Sequence, residues 1–302
     1  MSPAPLTVLH TSDYQVGRPY LPDAADAMVE LAESVRPDVV VASGDLTQRA
    51  KRREFEGARE LLDRFGSVPV VITPGNHDVP VYRALERLAS PYRNWRRFSG
   101  SSELDTVTRV EGATFVALSS AAPYRAVVAG RLRARQMAFA HDAFRQAPVG
   151  DHRIVVVHHH FVPVEGGGAG RPLAAADELL EEFEAMGLSA ILGGHVHQLH
   201  LRSSARLTGS AGSVPVLSTG TATSRRGRGA EAAANTLCVL RFTESEVEVT
   251  PYRRGVGEGA FQPMEVRTFG LSARVERLGG VDARSALRDD RIMGQAEKAA
   301  AS

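Results

Sequence analysis

The chain has 302 residues, and its 36 Lys and Arg against 35 Asp and Glu leave a net charge of +1, so no global field draws it to nucleic acid or to an anionic membrane. A hydrophobic share of 43% and a charged share of 24% are those of an ordinary globular protein, and the length is enough to bury a large α/β core. The single cysteine, Cys238 within Leu237-Cys238-Val239-Leu240, excludes a disulfide framework and reads as a small buried hydrophobe.

Met1 to Leu6 carries no basic segment followed by an apolar stretch, and no apolar run approaches a membrane span, so a cytoplasmic location is expected. Thr7 to Thr11 reads as a buried strand that ends at Ser12-Asp13-Tyr14-Gln15. Asp23 to Val35 has helical spacing and stops before Pro37; Asp38 to Ala42 is a second strand, ending at Gly44-Asp45. Lys51 to Phe65 places Phe55, Ala58, Leu61 and Leu62 on one helical face, and Val68 to Thr73 is a third strand broken by Pro74-Gly75 ahead of Asn76-His77-Asp78. This β-α-β-α-β order predicts a parallel sheet whose loops all leave one edge.

Tyr82 to Phe98 is expected to form one helix carrying the only Trp, Trp95. Thr106 to Val110 and Ala113 to Leu118 form a hairpin pattern around Glu111-Gly112, Arg131 to Gln146 is helical, and the strand Arg153 to Val157 runs into His158-His159-His160. The glycine-rich run 165–172 directly after these histidines is expected to cover a site. A helix at Ala174 to Met186 and a strand at Ser189 to Leu192 deliver Gly193-Gly194-His195-Val196-His197. Four further strands follow without helices between them, implying a second sheet or an antiparallel half. From about Glu265 the sequence is polar and irregular, so a loosely ordered tail over 265–302 is expected beyond a domain spanning 1–264.

Five loops therefore share one description, a strand ending in metal-friendly side chains: Asp13, Asp45, Asn76, His158, and His195 with His197. Carboxylate and amide oxygens with imidazole nitrogens, and no thiolate, suit Mn²⁺, Fe or Zn²⁺. The set is larger than one ion usually takes from protein, whereas two ions about 3.5–4 Å apart bridged by one carboxylate would use it all. His10, His141, His152 and His200 lack such a setting and read as surface or packed imidazoles.

Taken in order, Asp13-Tyr14-Gln15, Gly44-Asp45, Gly75-Asn76-His77-Asp78, His158-His159 and Gly193 with His195-Val196-His197 resemble the calcineurin-like metallophosphoesterase signature D-x-H, G-D, G-N-H-D/E, H and G-H-x-H. The resemblance implies an α/β fold, a four-layer α/β/β/α sandwich of two mixed sheets flanked by helices, and a centre of two divalent ions. It implies Asp45 as the bridging carboxylate, Asp13 and His197 on a first ion with Gln15 where the family has His, and Asn76, His158 and His195 on a second. His159 or His160 would support these ligands. His77 would stay uncoordinated near the substrate phosphate, oriented by Asp78, as a general acid or as a stabilising cation. Gln15 departs from the pattern: a neutral amide oxygen is a weaker ligand than imidazole, favouring Mn²⁺ or Mg²⁺ over Zn²⁺ there or leaving the first site labile.

The phrase Gly44-Asp45-Leu46-Thr47-Gln48 and the triple histidine are similar to the bacterial cyclic-nucleotide phosphodiesterase branch, which implies hydrolysis of phosphate diesters, small-molecule phosphoesters rather than a nucleic-acid duplex. An alternative is a pyrophosphatase acting on a UDP-sugar lipid precursor, as a UDP-2,3-diacylglucosamine hydrolase does. It would need peripheral membrane contact, an apolar groove from Trp95 and Phe98, and a basic patch from Arg225, Arg226 and Arg228. A non-catalytic binding scaffold of the same fold is the reading from another class, and Gln15 is its one hint.

Overall fold

The computed structural model describes residues 5–124, 129–162, 171–205 and 213–271. Its strands are apolar on both sides, and successive residues enter different cores. In β1 (Leu6–Thr11), Leu6 and Val8 join one core and Leu9 another; in β2 (Val39–Ala42), Val39 and Val41 join the first and Val40 and Ala42 the second. In β5 (Ala113–Leu118), Phe115 and Ala117 join that same first core, while Val116 and Leu118 face a third. Period-two alternation between two apolar environments is what a sheet covered on both faces requires. The first core lies between two sheets and the others lie beneath helices, giving four α/β/β/α layers.

The first sheet runs in the order β12 (Gln262–Pro263), β11 (Glu246–Gly255), β10 (Ala234–Phe242), β1, β2, β3 (Val70–Ile72), with β13 (Arg267–Gly270) also on β11. The second runs β4 (Thr106–Val110), β5, β6 (His152–Val157), β7 (Ala190–Gly193), β9 (Pro215–Ser218), β8 (His200–Ser203). Both are mixed: β1-β2-β3 and β5-β6-β7-β9 are parallel, and the flanking pairs are antiparallel. Helices α1 (Pro22–Val35) and α2 (Arg52–Asp63) cover the first sheet through Met28, Phe55, Ala58 and Leu61, and α5 (Ala134–Arg145) and α6 (Ala176–Ala185) cover the second through Met137, Phe144, Leu180 and Phe183. Among the described residues no helix is long and apolar enough to cross a membrane.

Three expectations are corrected. The segment 82–98 is two short helices, α3 (Ala84–Ala89) and α4 (Arg93–Ser99), because Pro91 has no N–H to donate and its ring clashes with the preceding turn. Trp95 and Phe98 are buried against Phe55, with ring centroids 6.2 and 5.3 Å from it, so they build the core and line no groove. The four strands after His197 do not form one sheet either: β8 and β9 extend the second sheet, while β10 crosses back to pair with β1. This crossing lets Leu237 and Val239 enter the helix-side core while Cys238 and Leu240 fill the space between the sheets.

Ordered structure also runs past residue 264. β13 pairs along β11 from Val247↔Phe269 to Val249↔Arg267, and Phe269 packs on the core between the sheets. The expected tail beyond residue 271 and most of the glycine-rich run 165–172 lie outside the described residues. A chain truncated after residue 264 should lose about 2 kcal/mol of stability through the lost Phe269 contact and the unpaired edge of β11. A urea midpoint equal to that of the full chain would show that β13 contributes nothing.

Candidate metal centre

The parallel strands end level. Thr11 lies beside Ala42 and Ala42 beside Ile72, so residues 12–15, 43–48 and 73–78 leave the first sheet at one edge. In the second sheet Leu118 pairs with Val157, Val156 with Leu192 and Gly193 with Ser218, which brings residues 158–160, 194–197 and 219–229 to a matching edge. The carboxyl ends of parallel strands are where open α/β sheets place ligands. Bonds across the seam hold the edges together: Thr73 Oγ1 donates to Leu118 O at 2.9 Å, His158 Nδ1 to Ser43 O at 2.8 Å, and His195 N to Asp13 Oδ2 at 3.0 Å.

Five residues gathered there have left-handed backbone: Asp13 (φ 55), Gln15 (φ 50), Asp45 (φ 53), His195 (φ 71) and His197 (φ 58). Each such non-glycine conformation costs of order 1 kcal/mol, and its concentration at one point marks a site where side-chain direction outweighs backbone comfort. Glycine makes the close approach possible. A Cβ at Gly75 would lie 2.1 Å from Asp45 Oδ1 and 2.5 Å from the Asp45 backbone nitrogen.

Two donor sets result, and Asp45 belongs to both. In the first, Asp13, Asp45 and His197 offer atoms that all lie within 4.8 Å of one another. His197 Nδ1 donates to Arg226 O at 2.8 Å, which fixes the tautomer and leaves Nε2 facing Asp13 Oδ1 at 3.1 Å. In the second, His158 Nε2 lies 3.3 Å from Asp45 Oδ2 and 3.3 Å from Asn76 Oδ1, and His195 Nδ1 lies 2.9 Å from the same Asn76 oxygen. Buried Asp13 Oδ1 and Asp45 Oδ2 make no well-aligned hydrogen bond among the described residues, and each faces only an imidazole nitrogen, His197 Nε2 at 3.1 Å and His158 Nε2 at 3.3 Å. Carboxylate oxygens removed from water need positive charge beside them, supplied by an imidazole proton or by an ion in its place, and carboxylates converging with imidazoles in this way fit divalent ions.

The electrostatics agree. Burial opposes the Asp45 charge, but His158 and His77 outweigh it and hold the carboxyl well below the usual range. Asp13 is also held down, where burial is outweighed chiefly by His197. Burial alone would discharge His158, yet Asp45 beside it lifts that imidazole to about 9. Burial, reinforced by the His158 charge, pulls His195 down to about 3, so its ring nitrogens stay free of a second proton.

Gln15 lies at the first set as expected, its amide nitrogen 3.2 Å from His197 Nε2 and its oxygen accepting from Ser224 Oγ at 3.4 Å, which leaves that oxygen a second lone pair. One predicted role is corrected, that of Asp78. Asp78 does not orient His77. Its carboxylate accepts from Leu46 N, Thr47 N, Thr47 Oγ1 and Gly75 N, tying the second and third loops together, and burial with the Asp45 charge pushes it up to about 7. His77 is held by Gln48 O, 2.9 Å from Nδ1, and its backbone N–H donates to Asp45 Oδ1 at 2.7 Å. His159 bonds Ser120 Oγ at 2.7 Å and His160 stacks on His195 at 5.4 Å, so both wall the site. Gln48 O and Ser43 O were missed as partners of His77 and His158, because backbone carbonyls leave no sequence signal.

A sandwich of this kind with shared carboxylate and imidazole donors at its strand ends defines a metal-dependent phosphoesterase architecture. Residues 6–199 match the family model for the calcineurin-like phosphoesterase domain, and the chain belongs to that family. It is 25% identical over 179 residues to a protein of Psychrobacter sp. (strain PRwf-1) named "Probable cyclic nucleotide phosphodiesterase", covering 57% of this chain and 50% of that one. It is 26% identical over 189 residues to a "cAMP/cGMP dual specificity phosphodiesterase" of Mycobacterium tuberculosis (strain CDC 1551 / Oshkosh), covering 58% of this chain and 55% of that one. The chain thus spans about half the length of these curated relatives. Among solved structures it resembles the purple acid phosphatase PPD1 of yellow lupin (Lupinus luteus) seeds, with TM-score 0.64, 13% identity and coverage of 93% of this chain and 57% of that one. It also resembles a dimetal phosphatase from Danio rerio, with TM-score 0.57, 13% identity and coverage of 89% and 100%. At that identity the likeness is one of fold.

Two outcomes test the centre. Gly75→Ala drives a methyl into Asp45, so bound metal per chain should fall and stability should drop by about 1–3 kcal/mol; unchanged metal content would show that Asp45 is not held against Gly75. His158, lifted to about 9 in the metal-free protein, carries a proton at neutral pH that a cation must displace. Metal uptake in unbuffered solution near neutrality should therefore release protons, and affinity should weaken as the pH falls. Uptake without acidification would contradict the placement of His158.

Proposed function

We propose that the protein is a dinuclear metal-dependent phosphodiesterase that hydrolyses phosphate diesters, with 3′,5′-cyclic nucleotides as the substrate class to which its curated relatives' names direct attention. The observation that carries this reading is the sharing of Asp45, whose Oδ2 faces His158 at 3.3 Å while the same carboxylate belongs to the cluster with Asp13 and His197. Asp13, Asp45 and His197 would hold one ion, and Asp45, Asn76, His158 and His195 the other. The balance of oxygen and imidazole donors favours Mn²⁺. When bound, such a pair activates water for in-line attack and neutralises phosphoryl charge.

The chain's own residues prepare this chemistry. The Ser43 and Arg226 carbonyls fix the tautomers of His158 and His197, and the Asp78 carboxylate locks the loops carrying Asp45 and Asn76 to each other. The left-handed turns aim the donors before any substrate arrives, so little reorganisation accompanies reaction. A non-catalytic scaffold would have no physical use for buried carboxylates and imidazoles converging on one point.

The test is metal analysis of the purified protein with hydrolysis of bis-p-nitrophenyl phosphate and p-nitrophenyl phosphate in added Mn²⁺. Asp45→Ala should lose at least about 1,000-fold in activity, roughly the scale of removing a group that stabilises the transition state directly, while Gln15→His should keep or raise it by restoring a ring nitrogen at the first set. Fewer than one ion per chain in excess Mn²⁺, with neither ester cleaved, would overturn the enzyme reading and leave the scaffold. Monoester cleavage dominating over diester would keep the class and reject the diesterase.

A further inference from the structure

Residues Arg225 to Gly229 form a braced segment beside the centre. Arg225 N donates to Pro19 O at 3.2 Å, Arg228 N to His197 O at 3.1 Å, and a Cβ at Gly227 would lie 1.9 Å from Glu231 O, so no side chain fits at that position. Arg226 in this segment does two things. Its carbonyl accepts from His197 Nδ1, and its guanidinium reaches across the site, where Nη1 lies 2.9 Å from His77 Nε2 and 3.4 Å from Gln48 Oε1.

The pairing of His77 is decided by what its neighbours can do. Gln48 O only accepts, so it takes a hydrogen from Nδ1; a guanidinium only donates, so it points one at the lone pair of Nε2. Both ring nitrogens are thus engaged by this chain. Among the described residues no carboxylate pairs with the Arg226 guanidinium, in contrast to Arg254, which meets Asp23 at 2.7 Å. Arg226 is half-buried and stands one imidazole away from the Asp45 loop, and the side-chain contacts of its guanidinium among the described residues are His77 Nε2 and Gln48 Oε1.

We propose that Arg226 is a substrate-binding residue: its guanidinium meets the non-bridging oxygens of the phosphoryl group, and His77 with Gln48 positions it there. A planar fork of donors suits two oxygens of one phosphate, which a point charge does not reproduce. The role that the family resemblance gives to His77, a cation facing the phosphate, passes in this chain to the arginine that His77 holds. The proposal rests on the phosphoesterase reading for its substrate.

The test uses the full-length protein loaded with Mn²⁺, with inorganic phosphate as the binding probe in calorimetry and bis-p-nitrophenyl phosphate as the kinetic probe. Arg226→Gln should keep the metal content of the unaltered protein, because only the backbone carbonyl of Arg226 touches a ligand. It should weaken phosphate binding by about 10-fold or more, the effect of losing a hydrogen bond to a charged group, and lower kcat/KM by about 100-fold with both kcat and KM affected. Arg226→Lys should recover part of each loss by restoring charge without the fork. If Arg226 merely props His77, the amide introduced by Arg226→Gln can still donate to Nε2, and phosphate affinity within about twofold of the unaltered protein would overturn the proposal. So would an unaltered protein that binds Mn²⁺ but no phosphate. If that protein binds phosphate and cleaves neither ester, the diesterase reading fails, while the phosphate affinities of the two variants still decide for or against Arg226.

Discussion

The geometry of the strand ends depends on how Asp45 is held. One of its oxygens accepts the His77 N–H, and the other is buried against His158 Nε2, so the residue exerts a concentrated negative field where water cannot relax it. Its neighbours answer that field. His158 is lifted to about 9, and Asp78 is pushed up to about 7 by burial and by the same charge. Left-handed backbone at Asp45 and an absent side chain at Gly75 are the local concessions that let the carboxylate reach this position. The sandwich on either side supplies the rigidity that keeps such an arrangement from relaxing.

Much of this was legible in the chain because it is written in short-range patterns. Strand-then-polar-loop punctuation located Asp13, Asp45, Asn76, His158, His195 and His197, and the apolar runs told of sheets buried on both faces. What stayed hidden is what depends on partners distant in sequence. The return of β10 to β1 joins residues more than two hundred positions apart, and no local propensity encodes it. The division of the segment 82–98 was written in Pro91 and overridden in the reading by the apolar spacing around it. Side-chain orientation was the other blind spot. Gln15 occupies the expected place, yet the way its amide turns, nitrogen toward His197 and oxygen toward Ser224 Oγ, is set by partners distant in sequence.

Asp78 shows how motif position and role separate. Sequence places it next to His77 and so nominates it as that ring's orienter, but the turns around Asp45 and Gly75 bring three backbone N–H groups and the Thr47 hydroxyl within its reach, and these outweigh one imidazole. The carboxylate serves as a clasp between two loops, and the backbone carbonyl of Gln48 steadies the ring instead.

The seam between the two sheets has one more consequence. Asp13, Asp45 and Asn76 rise from the first sheet and His158, His195 and His197 from the second, so every oxygen donor stands on one side of the seam and every nitrogen donor on the other. An ion seated between them would act as a rivet, its oxygen half anchored in one layer and its imidazole half in the next. Sliding or parting of the layers would have to break coordination, which couples the mechanical integrity of the whole sandwich to the concentration of free metal around it.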